Sequence, residues 1–149
     1  TGAGELYVTN TIIRNNGNTG IVVAPVSGTS AVHASITGVE SNNNGNNGIF
    51  VGNGAQATIL DSVFSGNTNN GIDVEAGGDA TILRSVSSKN GSNGLFTSAG
   101  TARVADSTLA YSAMQANGAW TSFGNNRVIG NAGTAPTAAG PASTDLGQK

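Results

Sequence analysis

An all-β solenoid, a right-handed parallel β-helix of about five coils, is the fold this sequence predicts, and three observations predict it. Asp61-Ser-Val-Phe-Ser-Gly-Asn67 is echoed by Arg84-Ser-Val-Ser-Ser-Lys-Asn90, and Ala-Thr-Ile-Leu precedes both. A glycine followed by a short apolar segment recurs at Gly20, Gly48, Gly71, Gly94 and Gly118, spacings of 28, 23, 23 and 24 by subtraction. Repeats of that length are single supersecondary units that stack. The 149 residues also include 23 glycines but only 9% charged and 5% aromatic residues, a balance suited to turns and ladders rather than helices.

Each coil reads as a strand such as Thr58 to Phe64, a polar turn from Gly66 to Asn70, a second strand from Ile72 to Glu75, and another glycine turn. The second strand alternates, with Ile72 and Val74 apolar and Asp73 and Glu75 acidic, as a strand with one buried face does. Its equivalents begin at Ile21, Ile49, Leu95 and Ala119. Stacking them puts Ile21, Ile49, Ile72, Leu95 and Ala119 in one inward column and Val23, Val51, Val74 and Thr97 in the next. The first strand leaves two registers open: either Ile59 with Val63, or Leu60 with Phe64, faces inward.

An antiparallel meander would show two-residue turns between neighbouring strands. Here the turn residues recur once per coil at like positions, which favours a coil stacked on its copy. Asn16, Asn43, Asn67 and Asn90 then form a ladder of side-chain amides. The β-helix is expected over residues 1–131, followed by a tail over 132–149 that is small, Pro/Gly-punctuated and without period. That tail reads as extended, or as a cap on the last coil. The strand from Glu5 to Val8 has no helical lid before it, which leaves that end to an upstream domain or another copy of the chain.

The coil Asn67-Thr-Asn-Asn-Gly-Ile-Asp-Val74 and the closing stretch Phe123-Gly-Asn-Asn-Arg-Val-Ile-Gly-Asn131 resemble parallel β-helix repeat proteins of the pectate-lyase-like superfamily, over about residues 5 to 131. The resemblance implies the fold and leaves activity open, because that superfamily contains lyases, hydrolases, epimerases and proteins without catalysis.

Several residues are candidates for chemistry. The alignment places Val22, Phe50, Asp73, Phe96 and Trp120 in one outward column, so Phe50, Asp73, Phe96 and Trp120 are the expected ligand-binding residues. The stripe either stacks sugar rings or is covered by a protein partner. Asp73 and Glu75, about 6.5 to 7 Å apart on one strand face, could share acid and base work, or be solvated surface acids. Asp61, Arg84 and Asp106 fall in another column, read as a salt-bridge ladder. In the alternative, lyase-like reading Arg84 is the base and the aspartates bind calcium or a uronate partner. No other cofactor is implied. His33 decorates the second coil, and Arg127 fixes the last turn through bonds to carbonyls.

A net charge of -2 with six scattered basic residues gives no reason to expect nucleic acid. The apolar runs fall far short of the roughly 20 residues of a membrane helix, so no membrane insertion is expected. The absence of cysteine excludes disulfides and thiolate chemistry. Three functions remain. The first is a non-catalytic module of a secreted or cell-surface protein that binds a polysaccharide or protein partner along its lateral face. The second is a polysaccharide lyase- or hydrolase-like enzyme or a fragment of one, and the third a self-associating scaffold, a homo-oligomer joined through open ends or the lateral apolar column.

Overall fold

The computed structural model describes residues 4–26 and 31–131, so the proposed tail lies outside the described residues. The first coil contains β1 (Gly4–Thr9), β2 (Ile12–Arg14) and β3 (Ile21–Val23), and the second β4 (Val32–Thr37), β5 (Glu40–Asn42) and β6 (Ile49–Val51). Then come β7 (Ala55–Leu60), β8 (Val63–Ser65) and β9 (Ile72–Glu75), and β10 (Asp79–Leu83), β11 (Val86–Ser88) and β12 (Asn93–Ser98). A fifth coil of β13 (Thr101–Ala105), β14 (Thr108–Ala110) and β15 (Met114–Asn117) leads into β16 (Thr121–Ser122) and β17 (Arg127–Ile129).

Like strands pair in parallel, forming sheet A from β1, β4, β7, β10, β13 and β16, sheet B from β2, β5, β8, β11, β14 and β17, and sheet C from β3, β6, β9, β12 and β15. A coil therefore has three strands, not two. The segment expected as one strand from Thr58 to Phe64 breaks at Asp61, whose φ of 50° lies in the left-handed region. The break resets the alternation, so Ile59 and Phe64 both point inward, a combination that neither expected register contained.

All three corners are built on such a residue. At the A/B corner Asn10, Gly38, Asp61, Arg84, Asp106 and Asn125 have positive φ, and at the B/C corner Asn15, Asn43, Gly66, Lys89, Tyr111 and Gly130 do. At the C/A corner Gly54, Gly77 and Ala99 follow the same rule. Asn, Asp and Gly tolerate this conformation better than other residues, which accounts for much of the composition.

After most bends at the A/B and B/C corners the next residue is a Ser or Asn that turns a polar atom into the interior; Val39, after Gly38, is the apolar exception. The N–H of Val39 donates to Ser62 Oγ, that of Ser62 to Ser85 Oγ, that of Ser85 to Ser107 Oγ, and that of Ser107 to Asn126 Oδ1, at 2.9 to 3.2 Å. The B/C corner carries the asparagine ladder. The N–H of Asn16 donates to Asn44 Oδ1, that of Asn44 to Asn67 Oδ1, and that of Asn67 to Asn90 Oδ1. Asn44, not Asn43, is the second rung; Asn43 is the exposed left-handed residue before it. These bonds satisfy backbone donors that would otherwise be buried unpaired where the chain leaves the sheet.

The interior is apolar between the ladders. Ile21, Ile49, Ile72 and Leu95 stack in register in sheet C, beside Val23, Val51, Val74 and Thr97, as expected. The column ends in Ala116, not Ala119, because Leu95 pairs with Ala116. In sheet B, Ser41 and Ser87 alternate with Phe64 and Leu109. Each serine hydroxyl donates to a carbonyl across the coil, Ser41 to Gly48 and Ser87 to Gly94. A Cβ at Gly71 would lie 1.9 Å from Ser87 Oγ, so close approach, not φ, makes that position a glycine.

Candidate functional site

The outward column of sheet C holds Val22, Phe50, Asp73 and Phe96 in register, followed by Asn117. Trp120 is not part of it. It precedes β16 in the register that continues the inward column of Ala34, Ala57, Ala80 and Ala102, and it is 6% exposed within the core. The fifth coil is shorter: Ser107 and Asn126 are 19 residues apart, where Ser62 and Ser85 are 23 apart. Gly118 therefore does not match Gly94, and the indole plugs the last open layer of the interior.

The remaining stripe is only partly available. Phe50 and Phe96 are half-buried, and the Phe50 ring lies over Gly52, where an added Cβ would sit 2.8 Å from its Cε1. Asp73, between the two rings, is 6% exposed although it points outward. Its Oδ2 accepts from Asn47 Nδ2 at 2.7 Å and Asn70 Nδ2 at 3.3 Å, while its Oδ1 is buried without a partner. Burial pushes its pKa up and the charge of Glu75 adds to this, while the two amides pull it down.

An acid whose folded pKa is raised binds more protons native than unfolded. The protein therefore loses stability as pH rises from the unfolded carboxyl range, about 4, through the raised folded value. Asp73→Asn should remove that loss. Urea midpoints are expected to show the variant gaining on the parent between pH 4 and pH 7, and a pH-independent difference would contradict the burial argument.

Arg84 and Asp61 stand one above the other as expected and close on each other, Nε to Oδ1 at 2.8 Å and a second nitrogen to Oδ2 at 2.9 Å. The Arg84 hydrogen bond lowers the Asp61 pKa, and its own pKa is raised in return. Asp106, below them, accepts from Asn125 Nδ2 at 3.0 Å. The pair is half exposed, so its stabilising effect is small. Among the described residues no three His, Cys, Asp or Glu side chains converge to hold a metal ion. Glu75 lies two residues beyond Asp73 on β9, and His33 is exposed on the outer face of sheet A. Arg127 is exposed on β17, where its backbone N–H donates to the Ser107 carbonyl at 2.8 Å; the side-chain bonds to carbonyls expected of it are not formed among the described residues.

A second lateral feature has no counterpart in the sequence pattern. At the C/A corner a shallow depression of about 300 Å³ is lined by residues that include Gly54, Gln56, Gly77, Gly78, Asp79 and Thr101. Thr101 also borders a further one of about 180 Å³, beside Gly100 and the Trp120 backbone turn. The two form one trench along the helix axis. Gln56, Asp79 and Thr101 stack in register on its sheet A side, and Asp79 is ion-paired with Arg103 of the adjacent column.

A family model described as "Right handed beta helix region" matches residues 1–145. The chain belongs to the right-handed β-helix family. The resemblance to the pectate-lyase-like superfamily is consistent with that membership. No curated protein and no solved structure matches the chain. For a right-handed β-helix protein the lateral faces are the long regular surfaces, and here two of them, the sheet C stripe and the C/A trench, have a distinct chemical character.

Proposed function

We propose that this β-helix protein is a non-catalytic module of a secreted or cell-surface protein, holding a polysaccharide along its lateral face. The observation that carries the reading is that Arg84, Asp79 and Asp73 are each paired or buried. Arg84 spends two nitrogens on Asp61, Asp79 is held by Arg103, and Asp73 is 6% exposed, with Oδ2 taken by two side-chain amides and Oδ1 buried away from solvent. A general base needs a free lone pair within hydrogen-bond reach of the proton it takes, and a paired acid is needed opposite it. The lateral surfaces, by contrast, repeat hydroxyl, amide and backbone groups once per coil, a spacing of about 4.8 Å that suits a repeating polymer.

The test is a panel of acidic and neutral polysaccharides, with and without calcium, in which both unsaturated or reducing product and simple retention are followed. Retention without product is expected. Product that disappears in Asp73→Ala or Arg84→Ala would establish an enzyme and end the proposal.

A further inference from the structure

We propose that the C/A trench is the glycan site, and that it takes a neutral, hydroxyl-rich polysaccharide lying parallel to the helix axis; this rests on the reading of the protein as a lateral binding module and goes beyond it in naming the site and the charge class.

The charge balance comes first. Lysine is not found among the residues lining the trench, and the nearest arginine, Arg103, is already held by Asp79. A polyuronate carries a carboxylate on every unit and would find no free cation among the lining residues to offset it, because Arg103 is taken up by Asp79. A neutral chain meets no such penalty. The walls also lack the large apolar side chains that anchor a peptide, since glycines and alanines make up most of them and the Trp120 ring is turned into the core.

What the trench does present is a row of two-way hydrogen-bonding groups. Gln56 and Thr101 are exposed and each both donates and accepts, as sugar hydroxyls do. They lie in one register column, separated by Asp79 and therefore by about two strand spacings, or 9.6 Å. Each coil thus advances by about the length of one sugar ring, so successive units of an extended chain meet equivalent positions. Gly54, Gly77 and Ala99, the positive-φ residues of successive C/A corners, all line the trench, so it follows the stack from coil to coil.

The experiment compares the intact chain with Gln56→Ala/Thr101→Ala and with Phe50→Ala/Phe96→Ala, each checked by thermal melting, against hydroxyethyl cellulose and polygalacturonate in affinity electrophoresis. Both trench residues are exposed, so that variant should fold normally. The expected result is retention by the neutral polymer, at least about tenfold weaker in the trench variant, as the loss of two hydrogen bonds implies, and little changed in the stripe variant. Neutral retention that survives in the trench variant and fails in the stripe variant overturns the trench while leaving the binding module standing. Retention by polygalacturonate alone overturns the neutral assignment. No retention by either polymer removes the module reading and the trench with it.

Discussion

Asn67→Ala should destabilise the protein by about 4 kcal/mol, because a buried backbone N–H, a backbone carbonyl and two neighbouring amides lose side-chain bonds at once. Asn67 is 1% exposed and works in both directions along the stack. Its Oδ1 accepts from the N–H and the Nδ2 of Asn44, both at 3.0 Å, and its Nδ2 donates to the Ser41 carbonyl at 3.1 Å and to Asn90 Oδ1 at 3.1 Å. Alanine leaves the Asn44 N–H and the Ser41 C=O facing a gap, each costing about 1–3 kcal/mol. Against a typical total of about 5–15 kcal/mol this is a large share. Asn67→Asp should be no better, since a second acceptor would replace the Nδ2 donor opposite Asn90 Oδ1 and the Ser41 carbonyl. Denaturant unfolding measures both; a loss under about 1 kcal/mol would mean that the ladder does not satisfy these groups as the geometry indicates.

Trp120→Ala should cost about 3–5 kcal/mol, the usual range for truncating a buried tryptophan. Had the side chain been part of an outward stripe, the same change would cost within about 0.5 kcal/mol. The indole N–H has no hydrogen-bond partner, so Trp120→Phe removes an unsatisfied donor along with some volume and should recover most of the loss. As the chain contains a single tryptophan, its fluorescence reports the closing layer alone. A red-shifted emission in the native protein, or an Ala variant as stable as the parent, would put the ring outside.

The fold was legible because the 23-residue repeat is nearly undisguised between Ala57 and Asn90, and because Ile72 and Val74 alternate with acids. Coils three and four could thus be aligned residue by residue. What could not be read was where a continuous β-like segment bends. Ala-Thr-Ile-Leu-Asp-Ser-Val-Phe scans as one strand, and only a left-handed φ at Asp61 divides it. A signal existed in the serine that follows the bend residue at Ser62, Ser85 and Ser107, small and polar in the middle of an apolar run.

The site was less legible for related reasons. Asn42, Asn43 and Asn44 are chemically identical, so nothing local told the rung from the bend. Trp120 followed a glycine as the earlier second strands did, and the shortening of the fifth coil was hidden by that coincidence. Asp73 stands between Phe50 and Phe96 in the outward column, but its burial depends on Asn47, one coil earlier, whose position relative to the carboxylate is a matter of stacking. The trench is made of glycines and backbone, which carry no sequence signature of a surface.

The corner ladders also give the stack a sense. In the serine ladder and the Asn16, Asn44, Asn67, Asn90 ladder every backbone N–H is received by a side chain one coil further on, so each of these joints has a fixed direction along the stack. Removing residues 62–84 would bring Val39 N–H opposite Ser85 Oγ in place of Ser62 Oγ, a like-for-like exchange, since the partners are 23 residues apart. The 22- and 19-residue steps to Ser107 and Asn126 keep the same joint, so a coil can also shed residues between its corners. Such a chain can lengthen or shorten by whole coils with every joint preserved, and trim single coils where the outer turns allow it.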